Sequence, residues 1–386
     1  MRIYLIAVFI MLLLTASVAA NPINNEDISN DLLNKLSTEN INEFVTKVNH
    51  ELNEDIPLLN GDTVKDFASH GLNSDWNNVW HTVITKLFRE LAVNVHLLGK
   101  LLFLAVLCAM LQNLQNSFNQ SGISLLAYSL CYIFMAVIAL NAFYNALTLA
   151  QSTVGYMVGF MEALLPLLIS LLAGVGALTS AALFTPLMLF VVTTVSVVVK
   201  DVVLPLLMIT ASLECVSYLT DKYRLNNLTG LIKQSGMVIL GFTMVVFIGI
   251  ITIQGVAGSV ADGLTLRTAK FATATFIPVV GKMFADTVEL VMGASLILKN
   301  AIGIFGVLAV ILICTFPLIK LLSLVMIIKV AGALVQPMGD EKMAQCLDAM
   351  GNSLLLVFAC VLTVALMFFL VITMIIGTGS ITMMLR

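Results

Sequence analysis

Long apolar segments, which follow one another from about residue 97 to the end of the chain, constrain this sequence more than any single motif. A helix of about 20 apolar residues crosses a bilayer, whereas a soluble domain usually contains about 25% charged residues. Here 60% of the residues are hydrophobic and 11% are charged. The sequence therefore predicts an all-α polytopic membrane protein with about eight to ten transmembrane or re-entrant helices.

Short polar or proline-containing stretches separate the predicted membrane segments. The segments lie at about 97–115, 123–148, 155–178, 182–199, 202–220, 236–257, 276–298, 301–316, 318–335 and 353–376, and a polar connection is predicted at 258–275. The segment at 276–298 is weaker than the others because it carries three charges that oppose burial in lipid. A re-entrant or interfacial path is the alternative for this segment.

The N-terminus has the pattern of a secretory signal. Arg2 precedes an apolar stretch that is too short to span a bilayer comfortably, and small residues at Val18 and Ala20 predict cleavage after Ala20. An uncleaved first anchor is the alternative. Residues 21–95 contain 12 of the 22 acidic residues and show helical spacing of apolar residues, which predicts an exported amphipathic segment. This segment is either a partner-binding surface or a cap on the membrane part.

Histidine and cysteine usage argues against a metal site or a disulfide framework. All four histidines precede residue 97 without ligand-like spacing, and the cysteines form no CxxC pair. The cysteines are therefore interpreted as small buried side chains. They are Cys108, Cys131, Cys215, Cys314, Cys346 and Cys360.

A repeated unit organises the membrane part. It begins QSGISLLAYS at 120–129 and QSGMVILGFT at 234–243, and each copy then carries two prolines separated by the same interval. The prolines are Pro166 and Pro205 in the first copy and Pro278 and Pro317 in the second. Such spacing predicts a tandem duplication with two parallel copies of four spans each.

The full predicted organisation follows from these segments. It comprises a cleavable signal peptide at 1–20, an exported acidic segment at 21–95, a first span at 96–119, membrane repeats at 120–233 and 234–340, and a cytoplasmic loop with the last span at 341–386. If the mature chain starts outside the cytoplasm, residues 221–235 and 336–350 both lie inside. The basic residues of 221–235 agree with that side, because cytoplasmic loops are enriched in lysine and arginine.

Ionisable residues within apolar segments are costly in lipid and are therefore candidate functional positions. They are Glu162, Glu214, Asp286, Glu289, Lys299, Lys320 and Lys329. Glu162 lies one helical turn before Pro166, which leaves a backbone carbonyl without its usual donor. Together these groups predict a polar site at membrane depth, where Lys320 or Lys329 could neutralise Glu162 or Glu214. The alternative is that all of these charges lie at helix ends or in structural ion pairs.

No catalytic pattern occurs in the sequence. HExxH, GxSxG and the P-loop GxxxxGK[ST] are absent, and no histidine follows His96. No basic patch indicates nucleic-acid binding. The chain is therefore predicted to be neither an enzyme nor a cofactor-binding protein.

Four short motifs in the last third of the chain carry a family resemblance. They are PVVG at Pro278–Gly281, LKNAIG at Leu298–Gly303, FPL at Phe316–Leu318 and QPMGD at Gln336–Asp340. In combination, and with the signal peptide and acidic segment, the sequence resembles the stage III sporulation protein AE family of endospore-forming bacteria.

The resemblance implies a role in endospore formation. Members of the family are made in the mother cell, lie in the membrane around the forespore, and look like the polytopic subunit of a channel or secretion-like apparatus joining the two cells. The implied partners are the other stage III sporulation A-operon membrane proteins, a cytoplasmic ATPase and forespore protein Q. The family provides no catalytic residues that could be assigned here.

Two functional hypotheses therefore remain open. The first is a non-enzymatic subunit of a sporulation channel, and the alternative is a secondary transporter that acts alone through charged residues at the bilayer midplane. The candidate structural or conduit positions are Glu162, Pro166, Pro205, Glu214, Pro278, Gly281, Pro317, Lys320 and Pro337.

Overall fold

A computed structural model describes residues 76–117, 122–219, 225–276, 280–338 and 340–384, and within these ranges the chain is helical apart from short turns. The helices are α1 (Trp76–Ser117), α2 (Gly122–Gly174), α3 (Leu178–Val197), α4 (Leu204–Leu219), α5 (Asn226–Phe276), α6 (Val280–Val335) and α7 (Glu341–Met384). A π-helical turn, Val198–Val203, joins α3 to α4, and a 3-10 turn, Gln336–Met338, follows α6. The predicted signal peptide, most of the acidic segment and Pro278 lie outside the described residues.

Six helical stretches within the described residues are long and apolar enough to cross a membrane. They are Ile84–Leu111, Leu126–Gly174, Leu178–Leu219, Asn226–Thr265, Val291–Met338 and Glu341–Thr378. These stretches confirm the prediction of an all-α polytopic membrane protein. The parallel duplication stays a prediction.

The helices are longer than the predicted spans, and several pairs of spans lie on one helix. The predicted spans 123–148 and 155–178 both fall on α2, whose apolar stretch of 49 residues is about 73 Å long at 1.5 Å per residue. Polar residues between those spans do not end the helix because their hydroxyl groups bond to its own carbonyls. Ser152 Oγ donates to Thr148 O and Thr153 Oγ1 donates to Leu149 O, both at 2.6 Å.

The predicted polar connection at 258–275 is wrong, because this stretch is the last part of α5. Two of its threonines bond the same helix through their hydroxyl groups: Thr265 Oγ1 donates to Ala261 O and Thr268 Oγ1 donates to Leu264 O, each at 2.9 Å. The segment at 276–298 likewise does not end near residue 299, since α6 continues to Val335 with Pro317 inside it. Helices α5 and α6 therefore continue through stretches in which the sequence predicts an interruption.

Helix α7 lies at the centre of the packing, against α6 along its length and also against α2, α4 and α5. One line of its side chains is fully buried and alternates steps of three and four residues, the 3.5-residue period of a coiled-coil seam. These residues are Met343, Leu347, Met350, Leu354, Val357, Val361, Val364, Phe368, Val371 and Ile375, each with 0% exposure. The seam explains why α7 forms the core of the bundle.

The turn between α2 and α3 depends on a residue of another helix. Gly176 has a φ of 90° and ends α2 in a Schellman motif, in which Gly176 N bonds Ala173 O and Ala177 N bonds Leu172 O. The first turn of α3 has no capping side chain of its own. Instead, Asp262 of α5 accepts the N–H of Thr179 at 2.8 Å.

The end of α4 and the start of α5 lie at the same end of the bundle as the turn from α6 to α7. The Tyr128 hydroxyl of α2 donates to Asp340 Oδ1 at 3.0 Å, and Asp340 also caps α7 by accepting Met343 N at 3.1 Å. Tyr132, one turn further along α2, donates to Cys215 O of α4 at 2.9 Å. The described residues of 221–235 and 336–350, two segments predicted to share one side of the membrane, therefore share one end of the protein.

Candidate functional site where α4, α5 and α7 meet

A charged cluster, which we call the Glu214 cluster, joins α4, α5 and α7 and consists of Glu214, Lys233 and Ser353. Glu214 Oε1 lies 3.8 Å from Lys233 Nζ. The Ser353 hydroxyl donates to Glu214 Oε2 at 3.0 Å and accepts from Lys233 Nζ at 3.5 Å. Ser353 therefore bridges the carboxylate and the ammonium group, and each of the three helices contributes one member.

The cluster is partly withdrawn from solvent. The side chain of Glu214 is 12% exposed and that of Lys233 is 22% exposed, whereas Ser353 is fully buried. A charge at such a position is tolerable when an opposite charge and hydrogen bonds accompany it. The arrangement can hold three helices together, and a carboxylate beside an ammonium group can also exchange a proton or a small ion.

Two small residues of α7 lie close to neighbouring helices, Ser353 in the Glu214 cluster and Gly351 beside Lys329 of α6. Ser353 lies between Met350 and Leu354 of the buried seam, and Gly351 lies against α6. A side chain at Gly351 would meet Lys329, since a Cβ there would be 2.7 Å from its Cγ. The stem of Lys329 therefore crosses α7 at Gly351.

Beyond Gly351, Lys329 forms a second and more exposed pair between α6 and α7. Its Nζ lies 2.8 Å from Asp348 Oδ1 and 2.9 Å from Asn352 Oδ1. The side chains of Lys329 and Asp348 are 36% and 62% exposed.

The pairing of Glu214 differs from the predicted one. Glu214 pairs with Lys233 of α5 instead of Lys320 or Lys329 of α6, and Lys329 bonds Asp348. The sequence predicts that Lys233 lies in the cytoplasmic segment 221–235 with two other basic residues. In the structure it lies near the start of α5, which begins at Asn226, and its side chain contacts α4 and α7.

The other predicted positions do not join this cluster. Glu162 and Pro166 are both exposed on α2, and Glu162 has no ionic partner among the described residues. Pro205 is half-buried at the start of α4. The remaining positions are Pro317, buried in α6, Lys320, exposed on α6, Pro337, exposed in the 3-10 turn, and Gly281, in the first turn of α6.

A second polar region, at the other end of the bundle, contains charges that the site prediction omitted. Asp262 is 1% exposed and accepts the backbone N–H groups of Thr179 and Ser180. Lys299 of α6 is fully buried, and its Nζ donates to Ile376 O of α7 at 2.8 Å. Along α6, Lys299 and Lys329 are 30 residues apart, which corresponds to about 45 Å.

Lys299 was recognised in the sequence as a charge in an apolar segment, but Asp262 was assigned to a loop and carried no signal. Ser353 also carried no signal, because a serine within an apolar helix is common. Among the described residues, no group of three histidine, cysteine, aspartate or glutamate side chains could hold a metal ion.

These long apolar helices, tied together by a few partly buried charges, define a polytopic all-α membrane protein. Residues 60–379 match the family model described as stage III sporulation protein AE, so this chain belongs to that family. It is 39% identical over 351 residues to the stage III sporulation protein AE of Bacillus subtilis (strain 168), a match that covers 91% of this chain and 88% of that protein. No solved structure matches the chain.

Proposed function

We propose that this protein is a multi-pass subunit of a multi-protein channel or secretion-like complex that links mother cell and forespore during endospore formation. Family membership establishes a role in sporulation. The observation that carries the proposal is the extent of the match, because residues 60–379 contain all six apolar stretches described above. The part related to sporulation proteins is therefore the membrane bundle itself.

The proposed location is the mother-cell membrane around the forespore, with the N-terminal segment outside the cytoplasm. In that orientation, the end that carries the Glu214 cluster and Asp340 faces the mother-cell cytoplasm. This end is also the one where a cytoplasmic ATPase would contact the subunit. The other stage III sporulation A-operon membrane proteins and forespore protein Q complete the proposed set of partners, and the subunit itself has no catalytic activity.

Charge neutralisation within the chain supports a scaffolding or channel-forming role. Glu214 is neutralised by Lys233 and Ser353, and Asp348 is neutralised by Lys329. Both pairs join different helices, and the partly buried Glu214–Lys233 pair stabilises a fixed arrangement of the bundle. Such an interhelical pair suits a subunit that holds its shape within a larger assembly.

The test is affinity purification of the full-length tagged chain from sporulating cells in mild detergent. We expect the A-operon membrane proteins to co-purify with the wild-type chain and with Lys320→Met, a change at an exposed position. Recovery of the chain without any of these proteins, from cells in which it restores sporulation, contradicts the proposal.

A secondary transporter that acts alone is the second candidate, and the Glu214 cluster is the observation that favours it. A partly buried carboxylate beside a lysine, where three helices meet, is an arrangement that can bind a proton or cation. Glu214→Gln distinguishes the two functions, because the amide keeps the shape and removes the charge. Normal co-purification with lost sporulation favours transport, whereas normal sporulation of Glu214→Gln argues against it.

A further inference from the structure

Three sulfur atoms converge in the core next to the Glu214 cluster. The Cys346 thiol of α7 lies 3.2 Å from Cys215 Sγ of α4, and Cys215 Sγ lies 3.3 Å from Met350 Sδ of α7. Cys346 and Met350 are one helical turn apart and project from the same face of α7. Cys215 faces them from α4, so the sulfur atoms form a compact group between two helices.

The group is withdrawn from solvent but lies close to it. Cys215 is 2% exposed, and Cys346 and Met350 are fully buried. Glu214, the neighbour of Cys215 in the chain, retains 12% of its side-chain exposure. An ion could therefore enter from the end of the bundle that carries the Glu214 cluster.

The present contacts within the group are weak. The Cys346 thiol donates to Cys215 Sγ, and the Cys215 thiol donates to Met350 Sδ. Thiols are weak donors and a thioether is a weak acceptor, so the arrangement gains little from hydrogen bonding alone. Ordinary packing readily explains a single contact between two sulfur atoms, but less readily two contacts that share Cys215.

We propose that Cys215, Cys346 and Met350 form a binding site for one thiophilic monovalent ion, Cu(I). Thiolate and thioether ligands select Cu(I) over the harder divalent metals, which prefer imidazole or oxygen ligands. In the bound form, the ion replaces the two thiol hydrogens that lie between the sulfur atoms. Two protons leave to solvent, two thiolate bonds and one thioether bond to the ion form, and no electron is transferred.

The binding geometry requires a small expansion of the group. Metal–sulfur bonds of about 2.3 Å in a trigonal arrangement place the sulfur atoms about 4 Å apart, compared with the present 3.2 and 3.3 Å. Rotation about the side-chain bonds of Met350, an adaptable residue, can lengthen the distance from its Sδ to Cys215 Sγ, and rotation about χ1 of the two cysteines can separate their sulfur atoms. The bound group carries a net charge of −1.

The site and the Glu214 cluster share α4 and α7. Met350 and Ser353 are three residues apart on α7, and Cys215 follows Glu214 on α4. An ion bound by these sulfur atoms would join α4 to α7. The hydrogen bond from Ser353 to Glu214 joins the same two helices, so the ion would also hold that contact in place. This inference does not depend on the proposed sporulation complex, since it concerns binding by the isolated chain.

The test is anaerobic titration of the purified full-length protein in detergent with Cu(I), in competition with a chromophoric Cu(I) chelator. We expect one ion per chain, with sulfur-only coordination by X-ray absorption. Cys215→Ser and Cys346→Ser should each abolish this binding, and Met350→Leu should weaken it while preserving side-chain volume. Cys360→Ser, which changes another buried cysteine of α7, is the matched control and should bind as the wild type does.

Thermal unfolding of each apo variant shows whether the bundle is still folded, so loss of the site can be separated from loss of the fold. Ag(I), which undergoes no redox chemistry under these conditions, should give the same stoichiometry. Absence of competition with the chelator, equal binding by Cys215→Ser, or binding that disappears in Cys360→Ser would each overturn the proposal.

Discussion

The two ends of the bundle hold their buried charges in different ways. At one end, Glu214 and Lys233 are side chains of opposite charge that neutralise each other through Ser353. At the other end, Asp262 and Lys299 bond backbone groups, namely the first amides of α3 and a carbonyl of α7.

The difference shows which contacts can be replaced by water or a ligand while the fold is kept. A partly exposed ion pair can lose one partner to solvent or to a ligand, because water can replace it. A backbone amide buried beside Asp262 has no such replacement, so this contact has a structural role. The Glu214 cluster is therefore the candidate functional site, and the opposite end of the bundle is the candidate structural one.

The largest expected effect is at Asp262. Asp262→Ala removes the acceptor of the Thr179 and Ser180 amides and should reduce the free energy of unfolding by about 3 kcal/mol, since each buried unsatisfied donor costs about 1–3 kcal/mol. Thermal unfolding in detergent would show a marked fall in Tm. Asp262→Asn keeps one acceptor oxygen and should lose less. An unchanged Tm for Asp262→Ala would show that Asp262 does not have the structural role that distinguishes its end of the bundle from the end with the Glu214 cluster.

An intermediate effect is expected at Glu214 and Lys233. Glu214→Ala and Lys233→Met should each reduce the free energy of unfolding by about 1–2 kcal/mol, because each leaves a partly buried charge without its partner. The double variant should lose less than the sum of the two. A double-mutant cycle of thermal unfolding measures this coupling, which should be about 1 kcal/mol. Strict additivity would show that the two charges do not interact.

The smallest effect is expected at Lys329, whose pair with Asp348 is largely exposed. Lys329→Met should change the free energy of unfolding by less than about 0.5 kcal/mol, because exposed ion pairs contribute little. Added salt should change the Tm of Lys329→Met less than it changes the Tm of the wild type, because the variant has no exposed pair for salt to screen. A loss as large as that of Glu214→Ala would indicate that this pair belongs to the functional cluster.

Sequence reasoning identified the membrane class and one member of the cluster. Glu214 stood out because a carboxylate in an apolar segment is costly, and the same rule marked Lys299. It also marked Glu162, which the structure leaves exposed on α2. This rule identifies charged residues within segments long enough to span a bilayer, but it does not predict which helices pack around them.

Helix ends were the least predictable feature. The stretch 258–275 is rich in glycine, alanine and threonine, a composition typical of a loop, yet it continues α5, and the hydroxyl groups of Thr265 and Thr268 bond carbonyls of the same helix. Pro317 predicted a break but lies inside α6. In both cases local breaking signals are weaker than the packing of a long helix against its neighbours.

The sequence by itself determined that this chain is helical and membrane-embedded, because apolar segments of this length have no other stable arrangement in lipid. Its short motifs also indicated the sporulation family. Only the tertiary structure decided that Glu214 pairs with Lys233, that Asp262 caps α3, and that Cys215 meets Cys346 and Met350. These partners are 19, 83 and more than 130 residues apart in the chain. Such contacts depend on which helix faces meet, and apolar composition is nearly the same on every face.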